Sequence, residues 1–116
     1  MRSNHFIKKA YYVGGTDALK TFVKDNLCYP KEALSHRVEG SVLIHYEVNE
    51  KGSIHNISVA NGLGYGCDEE AVRIVSLLSY PQVKNRGVKV NTKFKITIVF
   101  RLPTIEPLKI NYIIKK

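Results

Sequence analysis

From Gly40 to Asn49 apolar and polar residues alternate with a period of two. Val42, Ile44, Tyr46 and Val48 fall on one side, and Leu43, His45, Glu47 and Asn49 on the other. Successive strand side chains point to opposite faces, so the pattern predicts a half-buried β-strand. Asn49-Glu50-Lys51-Gly52 is turn chemistry, its glycine supplying the positive φ that a tight hairpin needs. A second strand follows from about Ser53 to Asn61. There Ile54 is out of step with Ile57 and Val59, which predicts a bulge near His55-Asn56. Val88 to Leu102 is the longest strand candidate. Val90, Phe94, Ile96, Ile98 and Phe100 occupy even positions, and Lys89, Asn91, Lys93, Lys95, Thr97 and Val99 odd ones, giving one apolar and one largely cationic face.

Between these runs the period lengthens. Gly14-Gly15 breaks what precedes it, and Thr16 or Asp17 supplies an N-cap for an amphipathic helix carrying Ala18, Leu19, Phe22 and Val23. This helix stops near Asn26, because Tyr29 precedes Pro30 and a residue before proline avoids the helical region. Pro30 suits the first position of a second helical turn, Pro30 to Arg37, with Ala33 and Leu34 as its apolar side. The main helix starts at Asp68 as N-cap, with Glu69 and Glu70 complementing the helix dipole. Ala71, Val72, Ile74, Val75 and Leu78 form its broad apolar face, and it ends before Pro81. Gln82 to Gly87 then reads as a polar loop with Lys84, Asn85 and Arg86 exposed. Asn61-Gly62-Leu63-Gly64-Tyr65-Gly66 is glycine-rich but lacks the terminal Gly-Lys-Ser/Thr of a phosphate loop and follows an antiparallel hairpin. It reads as a flexible crossover.

A chain of 116 residues with 44% hydrophobic and 24% charged residues is sized and composed for one folded domain with one core. No run approaches the roughly 20 apolar residues that cross a bilayer, and the start, Met1 to Lys9, has no apolar signal core. The formal charge of +8 is spread over the chain, with Lys8, Lys9, Lys109, Lys115 and Lys116 towards its ends. No groove-reading or base-stacking motif accompanies it, so nucleic acid is not an expected partner. Cys28 lies in an apolar context and is expected to be buried. Cys67 sits at a helix start, where backbone N–H groups can lower a thiol pKa, but no histidine is close in sequence to serve it as base. The sequence leaves a Cys28–Cys67 disulfide open. His45 has outward parity and His55 core parity unless the bulge reverses it, so no shared metal site is expected from His5, His36, His45 and His55. The acids are accounted for by helix starts, a turn and an outward strand position. No catalytic residues, metal ligands or cofactor are therefore assigned, and the chain is not expected to be an enzyme.

Read in order, Tyr29-Pro30-x-x-Ala33, Val38-Glu39-Gly40-Ser41-Val42, Val48-Asn49-Glu50-Lys51-Gly52-Ser53-Ile54, Asp68-Glu69-Glu70-Ala71 and Val99-Phe100-Arg101-Leu102 resemble the C-terminal domain of the TonB family. The resemblance covers roughly Gly14 to Leu102, and the leading Gly14-Gly15-x-x-Ala18-Leu19 block is similar to versions from Bacteroidetes-type bacteria. It implies an α+β fold, a three-stranded antiparallel sheet with helices packed on one face. It divides the chain into an N-terminal extension (1–13), the domain (14–102) and a tail (103–116) offering an extra or exchanged C-terminal strand. It also implies a periplasmic domain that grips a segment of an outer-membrane transporter by strand addition and passes on work from an inner-membrane motor, without catalysis. Two departures stand out. Leu77-Leu78-Ser79-Tyr80-Pro81 keeps only the aromatic and the proline of the family's Trp-x-Phe-x-Pro pattern, and the chain shows no N-terminal anchor or proline-rich spacer. As read, it is expected to be a fragment, a stand-alone relative or a domain of another assembly, linked to a membrane only through a missing anchor or a partner.

Edge-strand physics leads to the same surface. The last strand of a short antiparallel sheet leaves a row of N–H and C=O groups unpaired, and an extended peptide satisfies them. The candidate partner-binding residues are Val88, Lys89, Val90, Asn91, Lys93 and Lys95, with Tyr29 and Pro30 from the quoted motif. The same lysines also serve to guard an edge against aggregation. The alternative is a self-associating structural or regulatory domain without transporter coupling, in which Leu108 to Ile114 pairs with the edge of its own chain or of a second copy in a homodimer.

Overall fold

Val42, Ile44, Tyr46 and Val48 are sealed from solvent along β1 (Gly40–Asn49), the central strand of an antiparallel sheet in the computed structural model, which describes residues 8–103. The other strands are β2 (Ile54–Asn61) and β3 (Asn91–Phe100), in the order β2-β1-β3. β1 and β3 pair without a break from Gly40 opposite Phe100 to Asn49 opposite Asn91. The β1–β2 ladder is irregular between Leu43 and Ile44 and between His45 and Glu47. At the second irregularity Asn56 takes a φ of 53°, and this bulge lets both Ile54 and Ile57 pack against the core while His55 lies opposite Glu47. The bulge thus reverses the parity of His55. β3 is shorter than its sequence pattern, because β1 ends at the hairpin and offers Val88–Val90 nothing to pair with.

α1 (Gly15–Asn26), α2 (Lys31–Ser35) and α3 (Cys67–Ser76) complete the α+β fold. α3 lies across β1 and β2 and buries Cys67, Ala71, Ile74 and Val75 in one core with the even-numbered side chains of β1 and β3. α1 buries no residue fully. Its Leu19, Phe22 and Val23 only half-cover the core beyond α3's reach.

Several local expectations give way. Gly14 (φ 91°) and Gly66 (φ 86°), not Thr16, Asp17 or Asp68, are the N-caps of α1 and α3, and Pro30 caps α2 instead of opening it. A left-handed glycine turns the chain sharply into the helix, which frees Asp68 for another role. Its carboxylate accepts the Leu63 N–H at 2.7 Å and the Gly64 N–H at 3.2 Å, so the glycine-rich crossover is pinned. Asn85 is buried rather than exposed, because its side chain pairs with both backbone groups of Lys8, accepting from N–H at 2.6 Å and donating to C=O at 3.0 Å. Cys28 is exposed and Cys67 buried, and both thiols are free. The context of Cys28 misled because its N–H is claimed by Glu70 Oε2 at 2.8 Å, which turns the segment at the surface. The candidate strand Leu108–Ile114 lies outside the described residues.

Candidate functional site: an open strand edge facing a helix

β3 pairs with β1 on one side. Among the described residues no strand pairs with its other side. Every second N–H and C=O along that side therefore points away from the sheet, as on any edge strand. Beyond the edge stands α1, and between them runs a groove of about 920 Å³. Its existence follows from the packing: α3 covers β1 and β2, and α1 stands off far enough to leave its apolar stripe half-exposed.

The groove has an apolar floor. Tyr46, Tyr80 and Phe94 are mutually packed, with the Tyr46 and Phe94 rings stacked at 5.4 Å and Tyr80 tilted against Phe94 at 5.3 Å. The two tyrosine hydroxyls meet at 2.6 Å, and burial raises both their pKa values, so each phenol stays neutral and satisfies the other. Leu19, Val23 and Leu27 face this floor from α1 and the segment after it, and Ile96 from β3. At the far end Tyr29 packs edge-on against Phe100 at 5.7 Å and donates its hydroxyl to Val38 C=O.

The groove's walls are held by specific bonds. Arg73 of α3 donates to Asn26 C=O at 2.9 Å and to Glu70 Oε2 at 2.7 Å, while Glu70 accepts the Cys28 N–H at 2.8 Å. These bonds fix the exit of α1, and the Arg73 guanidinium holds the Glu70 carboxyl below its usual range. At the other end residues 8–12 strap the start of β3. The Ala10 N–H donates to Thr92 Oγ1 at 3.0 Å, and Tyr12 packs edge-on to Tyr80 at 5.5 Å. Beyond Phe100, Leu102 N–H donates to Glu39 Oε2 at 2.7 Å, fixing the strand's exit.

Of the residues assigned from sequence, Lys95 and Tyr29 line this groove. Lys93 lies on the open sheet face opposite Glu47. Asn91 donates to Glu47 Oε1 at 2.7 Å, and Val88, Lys89 and Val90 precede the strand. Pro30 lies against Gly66, where a Cβ would come within 3.0 Å of it, and so positions α2 against α3. The sequence reading missed Leu19, Lys20, Val23 and Lys24. Their signal was present as an i, i+4 apolar stripe bordered by lysines, but a stripe of that kind reads as core. No three of His, Cys, Asp and Glu come together as a metal set among the described residues, and no described helix is long and apolar enough to cross a membrane.

The family of Gram-negative bacterial TonB protein C-terminal domains matches residues 25–102. The solution structure of the Helicobacter pylori TonB C-terminal domain superposes with a TM-score of 0.58 at 23% identity, covering 75% of this chain and 79% of that one. At that identity the likeness speaks for the fold. No curated protein matches the chain. The five motifs, the β2-β1-β3 sheet and the match over residues 25–102 agree: the chain belongs to the TonB C-terminal family.

Proposed function

We propose that the chain is a non-catalytic peptide-binding domain acting in the periplasm, which receives an extended segment of a TonB-dependent outer-membrane transporter as a fourth strand on the free side of β3. The observation that carries this reading is the edge of β3 that pairs with no strand among the described residues and runs beside an apolar groove. Backbone hydrogen bonds along such an edge supply affinity without demanding a particular sequence, and pockets for alternate side chains add selectivity. Membership of a family that works by protein interaction supports the same reading, and no catalytic family is indicated.

The test is an amide-shift titration of the ¹⁵N-labelled chain with peptides from the N-terminal segments of such transporters. Perturbation concentrated on Phe94–Phe100 and on α1 is the expected result. Shifts elsewhere only, or none, would refute the reading. Light scattering on the same samples addresses self-association: a dimer that dissociates as peptide binds means that two copies compete for this edge.

A further inference from the structure

The groove beside β3 has two chemically different sides. Phe94 and Ile96 line it from the core-facing positions of the strand, and Leu19 and Val23 stand across from them on α1. Lys95, Thr97, Val99 and Arg101 line it from the alternate positions, and Val99 is about half exposed there. Lys20 and Lys24, successive residues on one side of α1, supply two more cations at the rim. The described lining residues thus include four cations and no Asp or Glu.

Any strand laid along this edge alternates its own side chains between the two sides. Those turned inward meet Leu19, Val23, Phe94 and Ile96 and gain from being apolar. Those turned outward meet Lys95, Thr97, Val99 and Arg101 and gain from being anionic. The family match begins at Asp25, near the end of α1, so the α1 residues that line the groove lie outside the matched range.

We propose that α1 is the second jaw of the site, and that with Lys95 and Arg101 it selects an extended partner segment carrying apolar residues at alternate positions and carboxylates between them. This rests on the strand-addition reading and specifies its partner. Charge argues against the chain's own tail as the preferred occupant: Leu108 to Ile114 alternates suitably, but it carries Lys109 and no Asp or Glu to meet a rim that is already cationic.

The test uses the full ¹⁵N-labelled chain and three nine-residue peptides: alternating Glu and Val, alternating Lys and Val, and a scramble of the first with its glutamates and valines in separate blocks. A few exposed ion pairs together carry about tenfold in affinity, so the Glu-Val peptide should bind about tenfold more tightly than the Lys-Val peptide, with β3 and α1 amides shifting together. The scramble should lose a similar factor despite identical charge. Lys20→Glu with Lys24→Glu, both on exposed positions that leave the fold intact, should narrow or invert the preference. Leu19→Ser with Val23→Ser should weaken both alternating peptides, with circular dichroism confirming an unchanged fold.

If β3 shifts equally for all peptides and the α1 variants change nothing, the second-jaw assignment fails while strand addition stands. If no peptide perturbs β3, both fail. If peptides bind only after residues 104–116 are deleted, the tail is the resident occupant and the proposed partner is wrong. A concentration-dependent dimer unaffected by the Glu-Val peptide would likewise overturn it in favour of a second copy.

Discussion

The hydroxyls of Tyr46 and Tyr80 meet at 2.6 Å beneath the groove beside β3, one from the central strand and one from the loop after α3. This bond ties the loop to the sheet and gives the groove a rigid polar anchor under an apolar surface. Removing one partner leaves the other hydroxyl buried and unpaired, which costs about 1–3 kcal/mol, whereas removing both is close to neutral. Tyr46→Phe and Tyr80→Phe should therefore each lower stability in urea unfolding, and the double variant should recover much of the loss.

Gly52 separates two causes of glycine preference. It sits at φ +86° in the hairpin, and a Cβ there would come within 2.2 Å of the Tyr80 carbonyl oxygen. Gly87 has nearly the same φ, +84°, with open space around it. Gly87→Ala should cost only the left-handed backbone penalty, about 1–2 kcal/mol. Gly52→Ala adds a clash with backbone and should cost about 2–4 kcal/mol, read from the shift in unfolding midpoint.

Asp68 closes the crossover from β2 to α3 through the Leu63 and Gly64 N–H groups. Hydrogen bonds to a charged acceptor contribute about 1.5–3 kcal/mol, so Asp68→Ala should cost an amount in that range. The amides of Leu63 and Gly64 should then exchange with solvent faster than those of α3, as hydrogen exchange followed by NMR will show.

Glu70 and Glu47 set the acid limb of stability. Glu70 is held below the ordinary value of 4.5 first by its bond from Arg73, and Glu47 by the side chains of Asn91 and Asn56. A depressed folded pKa means that the unfolded chain binds more protons as the solution acidifies. The contribution is complete above 4.5 and is lost as the pH falls through the lower folded values. Stability measured by urea unfolding should drop on that limb, and Glu70→Gln and Glu47→Gln should each flatten it.

Much of this was legible in the chain. Strict alternation from Val42 to Val48 and from Phe94 to Phe100 marks strands with one buried face, and both are found so. The parity slip at Ile54 reveals the bulge, because only an extra residue puts Ile54 and Ile57 on the same side. What was illegible is tertiary. The stripe on α1 does not say whether the helix seals the core or stands off from it, and only the placement of α3 over β1 and β2 decides that. The burial of Asn85 depends on the backbone of Lys8, far away in sequence. Glycine caps replaced Thr16, Asp17 and Asp68 because a left-handed entry satisfied the turn and left the carboxylate of Asp68 for the loop.

Hydrogen exchange along β3, residue by residue in the full chain, tests the central claim most directly. In the free protein the amides of Phe94–Phe100 should alternate, those bonded to β1 slow and those on the other side fast. A saturating peptide of alternating glutamate and valine should slow the fast set and leave the slow set unchanged. Uniform protection of every β3 amide before any peptide is added, or a fast set that stays fast at saturation, would contradict the account.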